Sequence, residues 1–347
     1  MDKIRLGKTN LVVSRVGFGG IPIQRLSESD AIAVVKRCLD LGINYLDTAN
    51  AYTTSEEHIG KAISGRREKL VIATKSQSRD SGEVKGHLQQ SLKQLGIEHI
   101  DLFQFHNIST FDTLEMVLAP NGPMAVIQEA RQAGLVKHIG VTSHQIDVAK
   151  EAIKTDRFET IMFPFNFITC EPADELIPLA REHDVGFIAM KPLAGGMLDN
   201  ATLAFKYILQ FPDVVPIPGI QWVHEIEEIV RVVEGPRQLT EAEQGEIQRL
   251  RDKLGTRFCR RCDYCQPCTA GIPISFVLDI PSLVKKTQPD SIFMDPFSSM
   301  LEKAGDCVEC NDCEERCPYH LPIREMVAEN FKMYKMAKKE YQERVNI

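Results

Sequence analysis

The sequence lacks the apolar runs that would place it in or across a membrane. The N-terminal region has no apolar stretch of signal-peptide length, and no later run approaches the roughly 18 apolar residues of a membrane-spanning helix. These absences argue against a secreted or membrane-embedded protein. We therefore expect a cytoplasmic protein that has no membrane partner.

Basic runs are absent too. The chain has 41 Lys and Arg against 48 Asp and Glu, which gives a formal net charge of -7 at pH 7. Proteins that bind nucleic acid usually carry a basic patch that neutralises phosphates, so we expect no nucleic-acid partner. The 43% of hydrophobic and 26% of charged residues are ordinary for a globular protein. A length of 347 residues favours one large domain and one small one.

The chain has ten cysteines, and eight of them lie in two runs near the C-terminus. In a reducing compartment, a dense cysteine pattern more often binds metal or takes part in catalysis than forms disulfides. Cys38 and Cys170 lie outside the two runs. We expect both to be ordinary buried residues, the usual state of free cysteine.

Short β-branched and aromatic runs alternate with amphipathic helical segments up to about residue 236. One such segment begins with Ser27 and Asp30, which resemble a capping box, and can end at Gly42. Eight alternations of this kind predict parallel βαβ units and, at this length, an α/β protein with a (β/α)8 or TIM barrel. No Gly-x-Gly-x-x-Gly follows the first strand, which disfavours a Rossmann fold. The predicted strands are Val16–Gly19, Tyr45–Asp47, Leu70–Thr74, Leu102–Phe105, His138–Thr142, Ile161–Phe163, Gly186–Met190 and Val214–Ile217.

A further helix is predicted from Thr240, which forms a capping box with Glu243, to Gly255. We place the domain boundary at its end. Residues 1–255 would form the barrel, and residues 256–347 a small α-helical domain of the ferredoxin type. The last segment, Leu321–Ile347, has the pattern of a helix that packs one face on this domain.

The second cysteine run, Cys307-x2-Cys310-x2-Cys313-x3-Cys317-Pro318, has the spacing of bacterial ferredoxins. In that pattern three cysteines of a loop bind one [4Fe-4S] cluster and the fourth binds another, because a tight loop reaches only three of the four irons. We therefore predict two [4Fe-4S] clusters with crossed ligation. The expected ligands are Cys259, Cys262, Cys265 and Cys317 for one cluster, and Cys268, Cys307, Cys310 and Cys313 for the other.

The first cysteine run departs from this pattern. Only two residues separate Cys265 from Cys268, and Thr269 stands where a proline is usual, so the ligation by Cys268 has the weakest support. Paired Cys-x2-Cys units at this separation also suit a four-thiolate zinc site. Three cysteines at successive x2 spacing exceed what zinc needs from one loop, which favours iron-sulfur clusters over zinc.

Four polar residues stand at or just after predicted strands, at the end of a barrel where catalytic groups lie. They are Asp47, Tyr52, Lys75 and His106. Hydride transfer to a carbonyl creates an alkoxide, which Tyr52 could protonate if the Lys75 ammonium lowers its pKa from about 10. Asp47 would hold Lys75, and His106 would orient the carbonyl oxygen. Each residue alone has an ordinary structural explanation, and their joint position at successive strand ends favours a catalytic site.

At these positions the sequence resembles the aldo-keto reductase family. Residues 5–10 and 16–19 are similar to its N-terminal signature, and residues 42–52, followed by Ser55 and Glu56, closely match its catalytic segment. The resemblance covers roughly residues 5–235. It implies a barrel enzyme that uses NAD(H) or NADP(H) without a Rossmann fold. It also implies that the four residues named above are a catalytic tetrad.

The same resemblance implies contacts with the coenzyme. Ser143 and Asn166 would bind the nicotinamide amide, residues 192–196 the pyrophosphate, and residues from 218 onward the adenosine. The residues assigned to the coenzyme in this way are Ser143, Asn166, Met190, Lys191, Pro192, Leu193, Gly195, Gly196, Gly219, Gln221 and Glu228.

Some positions in this region differ from the family pattern. Met190 stands where many members have a tyrosine that stacks on the nicotinamide, although a thioether can also pack on a ring. His144 replaces the asparagine that is common after Ser143. Gln221 stands where members that prefer NADPH often have a basic residue, and acidic residues follow it. A 2′-phosphate would therefore be poorly neutralised.

The barrel and the eight cysteines together resemble a subgroup of bacterial and archaeal aldo-keto reductase-like proteins with a ferredoxin-type C-terminal domain. The predicted function is hydride exchange between a nicotinamide and a small carbonyl or alcohol substrate, with clusters that transfer electrons to or from a redox partner protein. Hydride carries two electrons and each cluster takes one, so their coupling would need a flavin or a similar group. Two alternatives stay open. The clusters could be structural or sensory, or the chain could be a non-catalytic electron-transfer partner.

Overall fold

The structure, a computed structural model, describes residues 1–345 and divides into two compact units, Met1–Glu243 and Gln244–Ile347. The division lies in the first turn of a helix that spans Glu241–Leu254. The boundary predicted after residue 255 lies at the C-terminal end of the same helix. No helix within residues 1–345 is both long enough and apolar enough to cross a membrane.

Ten strands, all in the first unit, are found in the described part of the chain. β3 to β10 form one parallel sheet in chain order, and their positions confirm the eight predicted strands. β1 and β2 form an antiparallel hairpin that the sequence did not predict. The bounds are β1 Lys3–Arg5, β2 Val12–Ser14, β3 Phe18–Gly19, β4 Tyr45–Asp47, β5 Val71–Ser76, β6 Ile100–Phe105, β7 Val136–Thr142, β8 Thr160–Pro164, β9 Gly186–Met190 and β10 Val214–Ile217.

The sheet closes into a barrel between β3 and the end of β10. Gly19 bridges to Gly219, and the Gly17 N–H donates to the carbonyl oxygen of Pro216 at 2.9 Å. A Cβ atom on Gly19 would lie 2.8 Å from the carbonyl oxygen of Pro218, so only glycine permits this approach. The predicted (β/α)8 barrel is therefore confirmed.

Nine α-helices of the first unit connect or follow the barrel strands. In α1 the buried residues recur every three or four positions, and Ser27 accepts a hydrogen bond from the Asp30 N–H at 3.2 Å, which confirms the predicted cap. The helices are α1 Glu28–Asp40, α2 Ser55–Ile63, α3 Ser81–Leu95, α4 Phe111–Leu118, α5 Pro123–Gln132, α6 Ile146–Lys154, α7 Leu176–Glu182, α8 Ala201–Ile208 and α9 Val223–Glu234. Short 3₁₀ turns occur at Gly7–Thr9, Pro22–Arg25, Arg67–Lys69, Glu171–Ala173 and Ala194–Gly196.

The barrel interior is packed with side chains. Tyr45, Leu102, Met162 and Ile188 belong to a buried cluster there, which Leu6 joins from the loop between β1 and β2. Leu6 contacts Gly186, the first residue of β9, so the hairpin covers the N-terminal end of the barrel. Polar residues lie at the opposite end of the barrel, where the strands terminate.

In the described residues of the second unit, the secondary structure is entirely helical. α10 Glu241–Leu254 begins with the predicted capping box, in which the N–H groups of Thr240 and Glu243 each donate to the other side chain, at 2.8 and 3.2 Å. The remaining helices are α11 Ile274–Leu278, α12 Ile280–Lys286, α13 Pro289–Phe293, α14 Phe297–Glu302, α15 Asp312–Glu315 and α16 Ile323–Val345, with a 3₁₀ turn at Lys303–Asp306. The predicted last helix corresponds to α16 as far as residue 345. Residues 346 and 347 lie outside the described part of the chain.

Candidate functional site

The carboxyl ends of β4, β5 and β6 bring the four predicted catalytic residues together. Asp47 ends β4, Lys75 is the penultimate residue of β5, and His106 directly follows β6. Tyr52 lies in the loop between β4 and α2. In a parallel barrel these strand ends share one face, so the side chains converge.

Lys75 and Asp47 form a buried ion pair. The Lys75 Nζ donates to the Asp47 Oδ1 at 2.5 Å and to the carbonyl oxygen of Thr48 at 2.7 Å. The Gln104 Nε2 donates to the other carboxylate oxygen of Asp47, Oδ2, at 2.9 Å. Only 2% of Lys75 and 3% of Asp47 is exposed, so bulk water contributes little to holding either charge.

Tyr52 and His106 lie on the open side of this ion pair, and both are partly exposed. The Lys75 Nζ is 5.1 Å from the centroid of the Tyr52 ring. The rings of Tyr52 and His106 meet edge to face, with 5.9 Å between their centroids. A molecule that reaches the Tyr52 hydroxyl therefore also reaches His106.

Burial raises the pKa of Tyr52 above its ordinary value. The Lys75 ammonium lowers this pKa and the Asp47 carboxylate raises it, so the two charges largely oppose each other. The sequence predicted that Lys75 lowers the Tyr52 pKa, and it does so, but burial outweighs this effect and Asp47 opposes it, so the net pKa lies above its ordinary value. Burial disfavours the charge of Lys75, but Asp47 and Tyr52 outweigh it and raise the Lys75 pKa. Tyr52 thus holds its proton at neutral pH beside a charged lysine.

Two buried polar residues beside the tetrad were assigned no role from the sequence. Gln104 is fully buried and contacts Asp47 as described above. Glu56 is 1% exposed and accepts a hydrogen bond from the Thr74 Oγ1 at 2.5 Å, and burial raises its pKa. The available signal for Gln104 was its place between Phe103 and Phe105, where a lone polar residue interrupts an apolar strand.

Two proposed nicotinamide contacts, Ser143 and Asn166, are buried and bonded to nearby backbone. Ser143 Oγ donates to the Gln145 carbonyl at 3.2 Å and accepts from the Gln145 N–H at 3.1 Å. Asn166 Oδ1 accepts from the N–H groups of Ile168 and Thr169 at 2.8 and 2.9 Å, and its Nδ2 donates to the Lys191 carbonyl at 3.0 Å. Both side chains therefore shape the loops after β7 and β8.

The segment assigned to the pyrophosphate is a tight turn after Met190, the partly exposed last residue of β9. Lys191 and Ala194 have φ values of 55° and 47°, which are unfavourable for residues with a side chain. Gly195 and Gly196 continue the turn with φ values of 74° and 94°. Strain of this kind is often kept at ligand-binding sites. Pro192 is buried and Leu193 is partly exposed within the same segment.

The residues assigned to the adenosine lie between β10 and α9. Gly219 is exposed, and a Cβ atom there would lie 2.9 Å from the Pro22 side chain. The backbone N–H groups of Gln221 and Trp222 donate to the Glu225 Oε2 at 2.7 and 2.9 Å. Glu228 is exposed on α9. A carboxylate thus already occupies the positive end of α9.

The first cysteine set, Cys259, Cys262, Cys265 and Cys317, lies at the hydrophobic core of the second unit. Cys265 and Cys317 belong to that core, and Cys259 packs against it. Burial raises the pKa of Cys259 and Cys265 to about 12, and the neighbouring thiols add to the rise. Burial also raises the pKa of Cys262, and so does the nearby Cys317. Cys317, from the second run, therefore lies beside the first.

The second cysteine set, Cys268, Cys307, Cys310 and Cys313, lines a single cavity. Cys307 and Cys310 are exposed, whereas Cys268 and Cys313 are partly buried. The Sγ of Cys310 lies 3.5 Å from the Thr269 Oγ1, next to Cys268. Cys268, from the first run, therefore lies with the second. Cys38 is buried as predicted, but Cys170 is only partly buried.

The arrangement of thiols bears on which metal group they suit. A zinc site gathers its sulfurs at about 2.3 Å from one point, whereas a cubane cluster separates them by its own width. Within residues 1–345, no group of three or more His, Cys, Asp or Glu side chains is placed to hold a single ion. The four thiols of the second set lie around one cavity, and they are not gathered around a single point as a zinc site requires.

Comparison with known proteins agrees with the geometry of the barrel. The model of the aldo/keto reductase family matches residues 15–202, more than half of the chain. An uncharacterised oxidoreductase of Bacillus subtilis, YqkF, is 31% identical over 217 residues, covering 58% of this chain and 68% of that protein. The L-galactose dehydrogenase of Arabidopsis thaliana is 30% identical over 220 residues, covering 57% of this chain and 68% of that protein.

Solved structures show the same relationship. An aldo-keto reductase of Bacillus halodurans, in its holo form, is 28% identical with a TM-score of 0.64, and the match covers 72% of this chain and 96% of that one. The matched family region ends at residue 202, before the first of the eight clustered cysteines. With this barrel and these relatives, the chain belongs to the aldo-keto reductase family of oxidoreductases.

Proposed function

We propose that the barrel reduces a small carbonyl compound, or oxidises the corresponding alcohol, with Asp47, Tyr52, Lys75 and His106 as its catalytic residues. The observation that carries this proposal is the buried contact of Lys75 with Asp47 beside the rings of Tyr52 and His106. When bound, the nicotinamide supplies the hydride. The side chains supply a proton and a fixed position for the carbonyl oxygen.

Tyr52 is the proposed acid. Its raised pKa keeps the hydroxyl protonated at neutral pH, and the Lys75 ammonium stabilises the phenolate that remains once the proton has moved to the substrate oxygen. Asp47 fixes Lys75 and keeps it charged. His106, edge to face with Tyr52, is placed to donate a hydrogen bond to the carbonyl oxygen.

We infer further that the coenzyme is NADH. A helix N-terminus can bind a phosphate, but at α9 the Glu225 carboxylate already accepts the N–H groups that would do so. A 2′-phosphate would be repelled by Glu225, and Gln221 offers no charge to neutralise it.

The expected kcat/KM with NADH exceeds that with NADPH by at least about tenfold, a difference of about 1.4 kcal/mol. In the double variant Gln221→Arg, Glu225→Gln, the new guanidinium and the lost carboxylate should narrow this ratio by at least about tenfold. Glu241→Gln, the same loss of charge on an exposed turn of α10, is the control and should leave the ratio unchanged. Equal use of both coenzymes by the unaltered protein would contradict the inference.

For residues 256–347 we propose a ferredoxin-type domain that holds two [4Fe-4S] clusters, one on each cysteine set. The support is the crossed grouping, since each set of four thiols combines cysteines from both runs. Clusters supply single electrons, so a flavin in the barrel and a redox partner protein complete the proposal. The exposed Cys307 and Cys310 mark the side on which a partner would exchange electrons. Thiols that bind clusters must stay reduced, so we propose a cytoplasmic location, where thiols are kept reduced.

A second role for the clusters is supported by the first cysteine set. Because Cys265 and Cys317 are part of the hydrophobic core, ligation there would hold the unit together whether or not electrons pass through it. In that case the barrel would reduce carbonyls alone, and the clusters would be structural or sensory.

Anaerobic purification followed by iron, sulfide and flavin analysis tests these proposals. About eight irons and eight sulfides per chain are expected. Cys310→Ser should lose about half of them, whereas Cys38→Ser, outside both sets, should lose none. Bleaching of the cluster absorption by NADH at the rate of turnover would support electron transfer. Full benzaldehyde reduction by Cys310→Ser would support the structural role, and a chain without iron would contradict both.

A further inference from the structure

The polar residue Gln104 is fully buried on β6, two residues after Leu102 of the apolar cluster in the barrel interior. It lies in register with Lys75 on β5 and with Gly140 on β7. Residues in register on adjacent parallel strands point to the same side of the sheet. Lys75 and Gln104 therefore approach Asp47 side by side.

The two oxygens of the Asp47 carboxylate are shared between these neighbours. Oδ1 accepts from the Lys75 Nζ at 2.5 Å, and Oδ2 accepts from the Gln104 Nε2 at 2.9 Å. A carboxylate can only accept, so its contact with Gln104 fixes the amide with its NH₂ group toward Asp47. With one donor on each oxygen, the carboxylate cannot rotate without breaking a hydrogen bond.

Gln104 has little other reason to be polar. Its Oε1 is buried and has no hydrogen-bond partner in the part of the chain that the structure describes. Gly140, the β7 residue in register with Gln104, has no side chain that would compete for this space. A Cβ atom at Gly140 would lie 3.3 Å from the Gln104 Cγ and 2.1 Å from the Thr160 Oγ1. A buried amide with one unpaired oxygen is unfavourable unless its other end serves a purpose.

We propose that Gln104 is a positioning residue for the carbonyl reduction, which orients the Asp47 carboxylate and through it Lys75 and Tyr52. This inference rests on the proposed function of the barrel. Without the donor on Oδ2, the Asp47 carboxylate can rotate away from Lys75, so the ammonium is less fully neutralised and its positive charge acts more strongly on Tyr52. The Tyr52 hydroxyl then becomes more acidic. The alkaline pH at which activity falls should therefore be lower.

The test uses the full chain with NADH and benzaldehyde. Gln104→Met, which keeps the size but removes the donor, should lower kcat/KM about tenfold and shift the alkaline limb of its pH profile to lower pH. Gln104→Glu should remain within about threefold of the unaltered chain near pH 6, because a carboxyl beside Asp47 keeps its proton and can donate it. Thr160→Val, an isosteric change of the neighbouring buried hydroxyl, is the control and should leave the profile unmoved.

A second readout does not depend on turnover. Tyrosinate absorbance, taken as the difference between the chain and its Tyr52→Phe variant, should titrate at lower pH when Gln104→Met is present. If Gln104→Met does not fold, Gln104→Asn, whose amide is one methylene too short to reach Asp47, makes the same comparison. An unmoved Tyr52 titration, or a Gln104→Glu variant as impaired as Gln104→Met, would overturn the inference. A chain that reduces no benzaldehyde while the titration still shifts would count against the proposed function instead.

Discussion

Replacing Tyr52 by phenylalanine is expected to lower kcat/KM for carbonyl reduction by at least about a thousandfold. The Tyr52 ring lies against the buried Lys75–Asp47 pair, with the Lys75 Nζ 5.1 Å from its centroid. Phenylalanine keeps the ring and its edge-to-face contact with His106 but has no proton to give. The measurement is NADH oxidation with benzaldehyde under saturating coenzyme.

Tyr45→Phe is a matched control for this substitution. Tyr45 is fully buried in the barrel interior, and its hydroxyl has no hydrogen-bond partner within residues 1–345. Removal of that hydroxyl should leave activity within about twofold, because an unpaired buried hydroxyl contributes no stabilising contact. Coenzyme binding should be the same in both variants. A Tyr52→Phe chain with more than a tenth of the normal activity would mean that another group provides the proton.

The pKa of Tyr52 also sets the direction of the pH dependence. Burial raises this pKa above 10, so Tyr52 is protonated through the neutral range and loses its proton only in strong alkali. Reduction needs the protonated form, and its rate should therefore fall as the pH rises through that value. The pKa of Lys75 is raised as well, so Lys75 is charged through the neutral range.

The barrel was predictable because its strands are buried on both faces. Parallel strands of this kind appear in the sequence as short continuous apolar runs. Two of them, Gly186–Met190 and Val214–Ile217, have the predicted bounds. The hairpin of β1 and β2 was missed since its strands have three residues each and Val12 is 55% exposed, so neither a run nor an alternation marks them. The five helices α11 to α15 have seven residues or fewer, too short for a helical period to show.

The convergence of the proposed catalytic residues was predictable from position, whereas their energetics were not. Strand ends place Asp47, Lys75 and His106 on one face in any barrel of this type. The pKa of Tyr52 depends instead on its burial and on its distances from Lys75 and Asp47, which sequence spacing does not contain. The role proposed for Gln104 likewise depends on strand register, which pairs it with Lys75 across β5 and β6.

If the second unit holds the proposed clusters, removal of their iron is expected to unfold much of that unit while leaving the barrel intact. Helices shorter than about 12 residues are marginal in isolation, and the four α-helices between the two cysteine runs have five to seven residues. Their packing centres on a core that includes Cys265 and Cys317, with Cys259, Cys268 and Cys313 against it. If clusters link these five cysteines, iron ligation joins segments that short helices alone hold weakly.

Hydrogen exchange measured by mass spectrometry on the iron-loaded and the chelated chain tests this expectation. Peptides from residues 256–320 should lose most of their protection after chelation, whereas peptides from β4 to β10 should keep theirs. The chain with Cys38→Ser should behave like the unaltered protein, because Cys38 is buried in the barrel unit. Cys265→Ser should mimic chelation near the core more fully than Cys310→Ser, whose thiol is exposed at the cavity. Unchanged protection in the iron-free chain would show that the unit folds alone, and the clusters would then be retained for electron transfer rather than for structure.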